Sequence, residues 1–199
     1  MRCLLLLVAT LFLIQPAQAQ ENKAALHQLF DQQWQRGLRD YPENAVFYGD
    51  NRYNDRWTDM SLGAIAVREA GDREALQSLR AIDRTQLSAA DQLNYDTFEW
   101  QLKQSIARQA FREYLMPISH QGGVQTADGL VELLAFNTEK DYRDWLARLN
   151  ALPALIDQNI VLLREGAKLG MTPPRAIMKR VPNQIAAQVV DDPTKSALY

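Results

Sequence analysis

"TEKDYRDWLARLNALPALIDQNIVLLREGAKLG" (residues 138–170) decides the fold class of this chain. Thr138 followed by Asp141 has the spacing of a capping box, so a helix starts there. Tyr142, Trp145, Leu146 and Leu149 then recur at helical intervals. Pro153 suits the first turn of another helix, because its missing N–H has no helical partner there. Ile156, Ile160, Leu163 and Ala167 supply the inward face of that second helix, and Gly170 its stop. No alternation of period two occurs in the stretch.

The same period governs the flanking sequence. In "ALHQLFDQQWQRGLRDY" (residues 25–41), Leu26, Phe30, Trp34, Leu38 and Tyr41 form one apolar face, and Pro42 disfavours helical geometry at Tyr41. Residues 42–61 are rich in turn formers and aperiodic, which predicts an ordered loop. A helical pair is expected between Ser61 and Ile82, hinged at Gly71 and Asp72. Ser88 with Asp91 predicts a capped helix to about Phe111, with Tyr95, Phe98, Leu102 and Ile106 as its stripe and Leu93, Thr97 and Trp100 at its flanks. Further short helices are expected near Gly129–Phe136 and after Thr172 and Pro173, with a break at Pro182. The expectation is an all-α, antiparallel helical array with a long central loop.

Composition bounds the function. The 199 residues carry a formal charge of -2 and are 47% hydrophobic, which is ordinary globular usage. With no basic stripe, nucleic acid is not an expected partner. Residues 1–19 read as a signal peptide: Arg2 precedes an apolar run from Cys3 to Ile14, and Ala17 and Ala19 place cleavage before Gln20. The run is too short for a stable membrane span. Cys3 is the only cysteine, so the mature domain, residues 20–199, has no disulfide, cysteine nucleophile or thiolate metal site. A periplasmic or secreted protein is expected.

Candidate chemistry is sparse. "PISHQGGVQ" (residues 117–125) resembles a glycine-rich oxyanion loop, but such loops serve a G-x-S-x-G nucleophile that the chain lacks. A turn in which the glycines supply unusual backbone angles is the simpler account. His27 and His120 are the only histidines, and no H-E-x-x-H occurs. Asp50, Asp55 and Asp59 could be drawn as a calcium site, yet Arg52 and Arg56 between them favour local salt bridges. Asp40 with Glu43, and Asp141 with Asp144, fit exposed helix turns better than acid–base couples. Trp34, Phe98, Trp100 and Trp145 have the spacing of core residues rather than of a ligand box. No complete catalytic constellation is present, and no metal ligand or catalytic residue is assigned.

Several separated stretches nevertheless resemble one family. "YPENAVFYGDNRYNDRWTDMS", "DQLNYDTFEWQLK", "PISHQGGVQ", "EKDYRDWLARLNALPALIDQNIVLLREGAKLGMTPPRAIM" and "SALY", in that order, look like the opening region of the bacterial domain-of-unknown-function family numbered 885. The resemblance implies a much longer, mostly helical, exported protein similar to zinc-dependent peptidases of the H-E-x-x-H class. In such sites zinc activates water and the motif glutamate acts as base. That metal motif lies beyond the region this chain resembles, so zinc is implied for a full-length relative and not for these residues. The chain is then expected to be an incomplete N-terminal portion that meets a peptide substrate only together with a missing C-terminal region. "VVDDPTKSALY" fits this expectation, ending without a helix cap, as does the apolar side formed by Ile185, Ala186 and Val189.

The resemblance also implies that the N-terminal helices wall one side of a substrate cleft. Ser119, His120, Gln121, Gly122 and Gly123 are the cleft candidates, the glycines letting backbone approach a peptide closely. A structural connector is the competing account of the loop. One alternative for the whole chain is a self-sufficient periplasmic binding protein that holds a small or peptide ligand through Trp34, Trp57, Trp100 or Trp145. The other is a remnant without function.

Overall fold

The computed structural model describes residues 2–199, with side chains from Gln18 onward. The signal segment read over residues 1–19 lies almost wholly outside the described side chains. Among the described residues every regular element is helical, so the protein is all-α. The α-helices are α1 (Arg2–Asp40), α2 (Pro42–Phe47), α3 (Leu62–Arg80), α4 (Ala89–Gln109), α5 (Glu139–Lys168), α6 (Arg175–Met178) and α7 (Val181–Ala187), with short 3-10 turns between them. The chain divides into two compact units, Met1–Arg36 with Val67–Ala110, and Gly37–Ala66 with Phe111–Tyr199.

The first unit is built on an apolar core. Leu26 and Leu29 of α1, Ala75 and Leu79 of α3, Ile82 and Leu87 after it, and Tyr95 and Leu102 of α4 are buried together. Each buried leucine contributes on the order of 2 kcal/mol. Phe30 and Phe98 add an edge-to-face contact at 5.2 Å. Ser88 caps α4 as expected: its Oγ accepts from the Asp91 amide at 3.1 Å and donates to the Asp91 carboxylate at 2.7 Å. His27 Nε2 meets the other Asp91 oxygen at 2.9 Å and so ties α1 to that cap.

Three expectations are corrected in the first unit. The stretch from Ser61 to Ile82 is one helix rather than a hinged pair. Gly71 is no hinge: a Cβ there would collide with the guanidinium of Arg36, which pairs with Asp72. The missing side chain makes room for that cation. Trp34 and Trp100 are 49% and 62% exposed rather than in the core, because they sit off the buried stripes of α1 and α4. Phe98, by contrast, packs against the core.

The second unit is organised along α5. Its start is the expected capping box, with Asp141 N–H donating to Thr138 Oγ1 and Thr138 N–H donating to the Asp141 carboxylate. Its end is a Schellman turn: Gly170 has φ +72°, and the amides of Gly170 and Met171 return to Ala167 and Gly166. Between these ends α5 is a single helix of 30 residues with Pro153 inside it, not two helices. Pro153 is exposed, so the carbonyl it leaves unpaired can turn to solvent. The buried stripe runs through Trp145, Arg148, Asn159, Leu162 and Gly166; of the expected Ile156, Ile160, Leu163 and Ala167, Leu163 is half-buried and the other three are exposed. Leu162 packs with Ile65 and Leu115 in a small apolar cluster.

The expected loop over residues 42–61 contains α2, since Pro42 favours a first helical turn as well as ending the previous helix. The element near Gly129–Phe136 is instead a 3-10 segment at Val124–Leu133. Pro182 falls in the first turn of α7, where a proline starts a helix. Ile185 on α7 and Val189 just beyond it are exposed.

Candidate functional site

The second unit holds a pocket of about 490 Å³. Its walls are Tyr41, Glu43, Asn44 and Phe47 at α2, Trp57, Thr58 and Met60 in the following loop, the segment from Pro117 to Leu133, and Leu155 and Asn159 of α5. Most of the lining is apolar, with a few polar residues among it. Pockets of this size and composition take small molecules or peptide side chains.

The loop wall is tied to α5 by polar contacts. The Trp57 indole N–H donates to the Arg148 carbonyl at 2.7 Å, and Arg148 Nη2 donates to the Tyr53 carbonyl at 2.9 Å. The Arg148 guanidinium lies 5.1 Å from the Trp57 ring centre and Trp145 meets that ring edge-on at 6.4 Å, so Trp57 is held from two sides. Met60 N–H donates to Gln158 Oε1, whose amide donates in turn to Asp59. Arg148 is completely buried, and its Nε and Nη1 have no hydrogen-bond partner. Burial pushes the guanidinium below its ordinary value, while the charges of Glu43, Asp55 and Asp144 pull the other way.

Glu43 stands at the mouth of α2. Its two oxygens accept from the Thr58 amide at 3.0 Å and from the Thr58 hydroxyl at 2.5 Å. Asn159, also buried, donates to the Leu155 carbonyl at 2.7 Å.

Of the five cleft candidates, Gly123 lines the pocket, with its neighbour Val124. Ser119, His120, Gln121 and Gly122 form the turn next to that wall. Ser119 N–H donates to the Gly122 carbonyl at 2.8 Å, and Ser119 Oγ accepts from the Gln121 amide, so the hydroxyl is engaged by its own turn. Gln125 Nε2 donates to the Ser119 carbonyl and Gln184 Nε2 to the His120 carbonyl. Gly123 has φ +142°, and a Cβ there would lie 2.5 Å from Gln125 Oε1, so only glycine suits the position. The turn is thus packed against α7 and shapes one edge of the pocket.

The remaining candidates are dispersed. Trp57 lines the pocket and Trp145 backs it, while Trp34 and Trp100 belong to the first unit. Asp50 is clasped by Arg52 and Asp55 by Arg56, and these guanidinium groups hold both carboxyls below the usual range. Asp59 takes Ser61 and Gln158. Those are the local salt bridges and turns expected of the segment. Asp141 serves the α5 cap and Asp144 pairs with Lys140, so neither forms an acid–base couple. Sequence reasoning missed Arg148, Thr58 and Asn159. For Arg148 and Asn159 the available signal was polar residues recurring on an otherwise apolar helical stripe; Thr58 lies in a loop and carried none.

A family model described as "Bacterial protein of unknown function (DUF885)" matches residues 42–199. The chain belongs to the DUF885 family. No curated protein and no solved structure matches it. The DUF885 match takes in every residue lining the pocket except Tyr41. Among the described residues of this DUF885 chain, no three His, Cys, Asp or Glu side chains gather where they could hold a metal ion. The zinc that the family resemblance implies has no fitting ligand set in them, and no step is assigned to it. Among the same residues no helix is long and apolar enough to cross a membrane.

Proposed function

We propose that this DUF885 chain is the non-catalytic N-terminal portion of an exported, zinc-peptidase-like protein, and that the pocket of its second unit is part of the wall of a peptide cleft. The pocket itself carries the proposal. It is concave and largely apolar, with Glu43, Thr58 and Asn159 among its lining residues, as suits a site for a peptide's side chains and amides. The Ser119–Gly123 turn supports that wall through Gln125 and Gln184. The leader read over residues 1–19 supports export.

A second reading is a self-sufficient binding protein of the periplasm. It is favoured by one observation: every lining residue comes from the same unit, so that unit by itself forms the pocket's walls. Both readings place the ligand against Trp57. Titration of the purified chain with an apolar tetrapeptide should change tryptophan fluorescence saturably, and Trp57→Phe should abolish most of that change. A flat titration, or a response unaltered in Trp57→Phe, would remove the pocket from both readings.

A further inference from the structure

We infer that the pocket selects a positively charged group, an alkylammonium carried by the ligand, and that Glu43 is the residue that reads it. The inference rests on the peptide-cleft reading and specifies the chemistry of what enters. Glu43 is the one charged side chain among the lining residues, which include no Lys, Arg or His. Its carboxylate is fixed in place, because the Thr58 amide and hydroxyl each donate to one oxygen. Each oxygen accepts more than one hydrogen bond, so both keep capacity for a ligand donor.

The surroundings suit a cation as well as the carboxylate does. Tyr41 and Phe47 line the same pocket, and aromatic faces attract ammonium groups electrostatically, whereas the Trp57 ring is already engaged by Arg148. Arg148, whose charge interacts with that of Glu43, is completely buried and is not among the lining residues. It offsets the carboxylate only through space, its hydrogen bond going to the Tyr53 carbonyl, so the Glu43 oxygens keep their capacity for a ligand donor. An anionic ligand would meet Glu43 with no cation in the lining to compensate it, whereas an ammonium ion would gain a charge-assisted hydrogen bond in a partly apolar space. A peptide offers this chemistry in two places, the free α-amino end and a lysine side chain.

The test is calorimetric titration of the full chain with four probes. These are a leucine tetrapeptide amide with a free amino end, its N-acetylated form, the acetylated form with one Leu replaced by Lys, and butylammonium chloride. The expected result is that at least one ammonium-bearing peptide binds about tenfold more tightly than the acetylated neutral peptide, a gap of about 1.4 kcal/mol. The gap should shrink at high salt and close in Glu43→Gln, whose remaining carbonyl can still accept from the Thr58 amide. Whichever of the first and third probes shows the gain identifies the source of the ammonium. Equal affinity for charged and neutral peptides would overturn the inference and leave the cleft reading standing. Butylammonium binding that depends on Glu43, with no peptide binding, would keep the ammonium site and remove the peptide cleft. Binding by none of the four would remove both.

Discussion

The two units of this chain solve the problem of an interior differently. The first fills it with Leu26, Leu29, Leu79, Leu87 and Leu102 and, among its described side chains, places one charged group, Asp91, out of solvent. The second buries Asn54, Thr58, Gln125, Arg148 and Asn159 and keeps a compact apolar cluster of Ile65, Leu115 and Leu162. Buried polar groups cost more than apolar ones unless they are bonded, and they add little net stability even when they are. They do fix geometry. In the second unit they string the loop from Tyr53 to Met60 along α5 and so hold Trp57 and Thr58 at the pocket. The first unit is held by an apolar core, the second by buried polar groups that shape a mostly apolar pocket.

That contrast can be broken by substitution. Leu79→Ala, at a fully buried position of the first unit, should cost about 3 kcal/mol in chemical unfolding and leave pocket affinity unchanged in the folded fraction. Gly123→Ala should cost about 2 kcal/mol, because it forces a side chain into a backbone conformation that glycine alone tolerates and crowds Gln125. It should also weaken any pocket ligand, since the turn moves with it. Arg148→Met should cost only about 1 kcal/mol, an apolar side chain of similar length replacing a guanidinium with a single hydrogen bond. Its main effect should be on the site, seen as a red-shifted Trp57 emission and a larger Kd. If Arg148→Met proved as damaging to stability as Leu79→Ala while sparing binding, the division of labour would be wrong.

The smallest effect concerns acid. The Ser88 hydroxyl, and after it the His27 imidazole, hold the Asp91 carboxyl below its ordinary value. A carboxyl with a lowered folded value contributes stability that is complete above the unfolded value of about 3.9, and loses it as pH falls through the folded one. Asp91→Asn should therefore be less stable than the wild type at neutral pH, with the difference narrowing below about pH 4. Parallel stability curves from pH 7 to pH 2 would show that Asp91 has no such role.

The same contrast explains what was legible in the sequence. The stop at Pro42, the caps at Ser88 and Thr138, the Tyr95–Ile106 stripe and the Gly170 stop all rest on local rules, and all are present in the fold. The errors cluster where tertiary contacts overrule those rules. Arg148 and Asn159 sit on the buried face of α5 while Leu146, Ile156 and Ile160 sit outside, so the apolar pattern points to the wrong face. Gly71 resembles a hinge only until Arg36 is placed against it. At the site, Gly123 and Trp57 could be named from sequence, but Glu43 reads as an ordinary charged helix turn. Its role depends on Thr58, which lies 15 residues away and is brought to it by the fold.

The central claim is that the second unit carries a peptide pocket and the first does not. Hydrogen exchange read by mass spectrometry, with and without a saturating apolar peptide that bears a free amino end, tests it most directly. The account predicts new protection in segments covering residues 41–60, 117–133 and 155–159, with residues 22–36 and 75–102 unchanged. Protection confined to the first unit, or none anywhere, would contradict it.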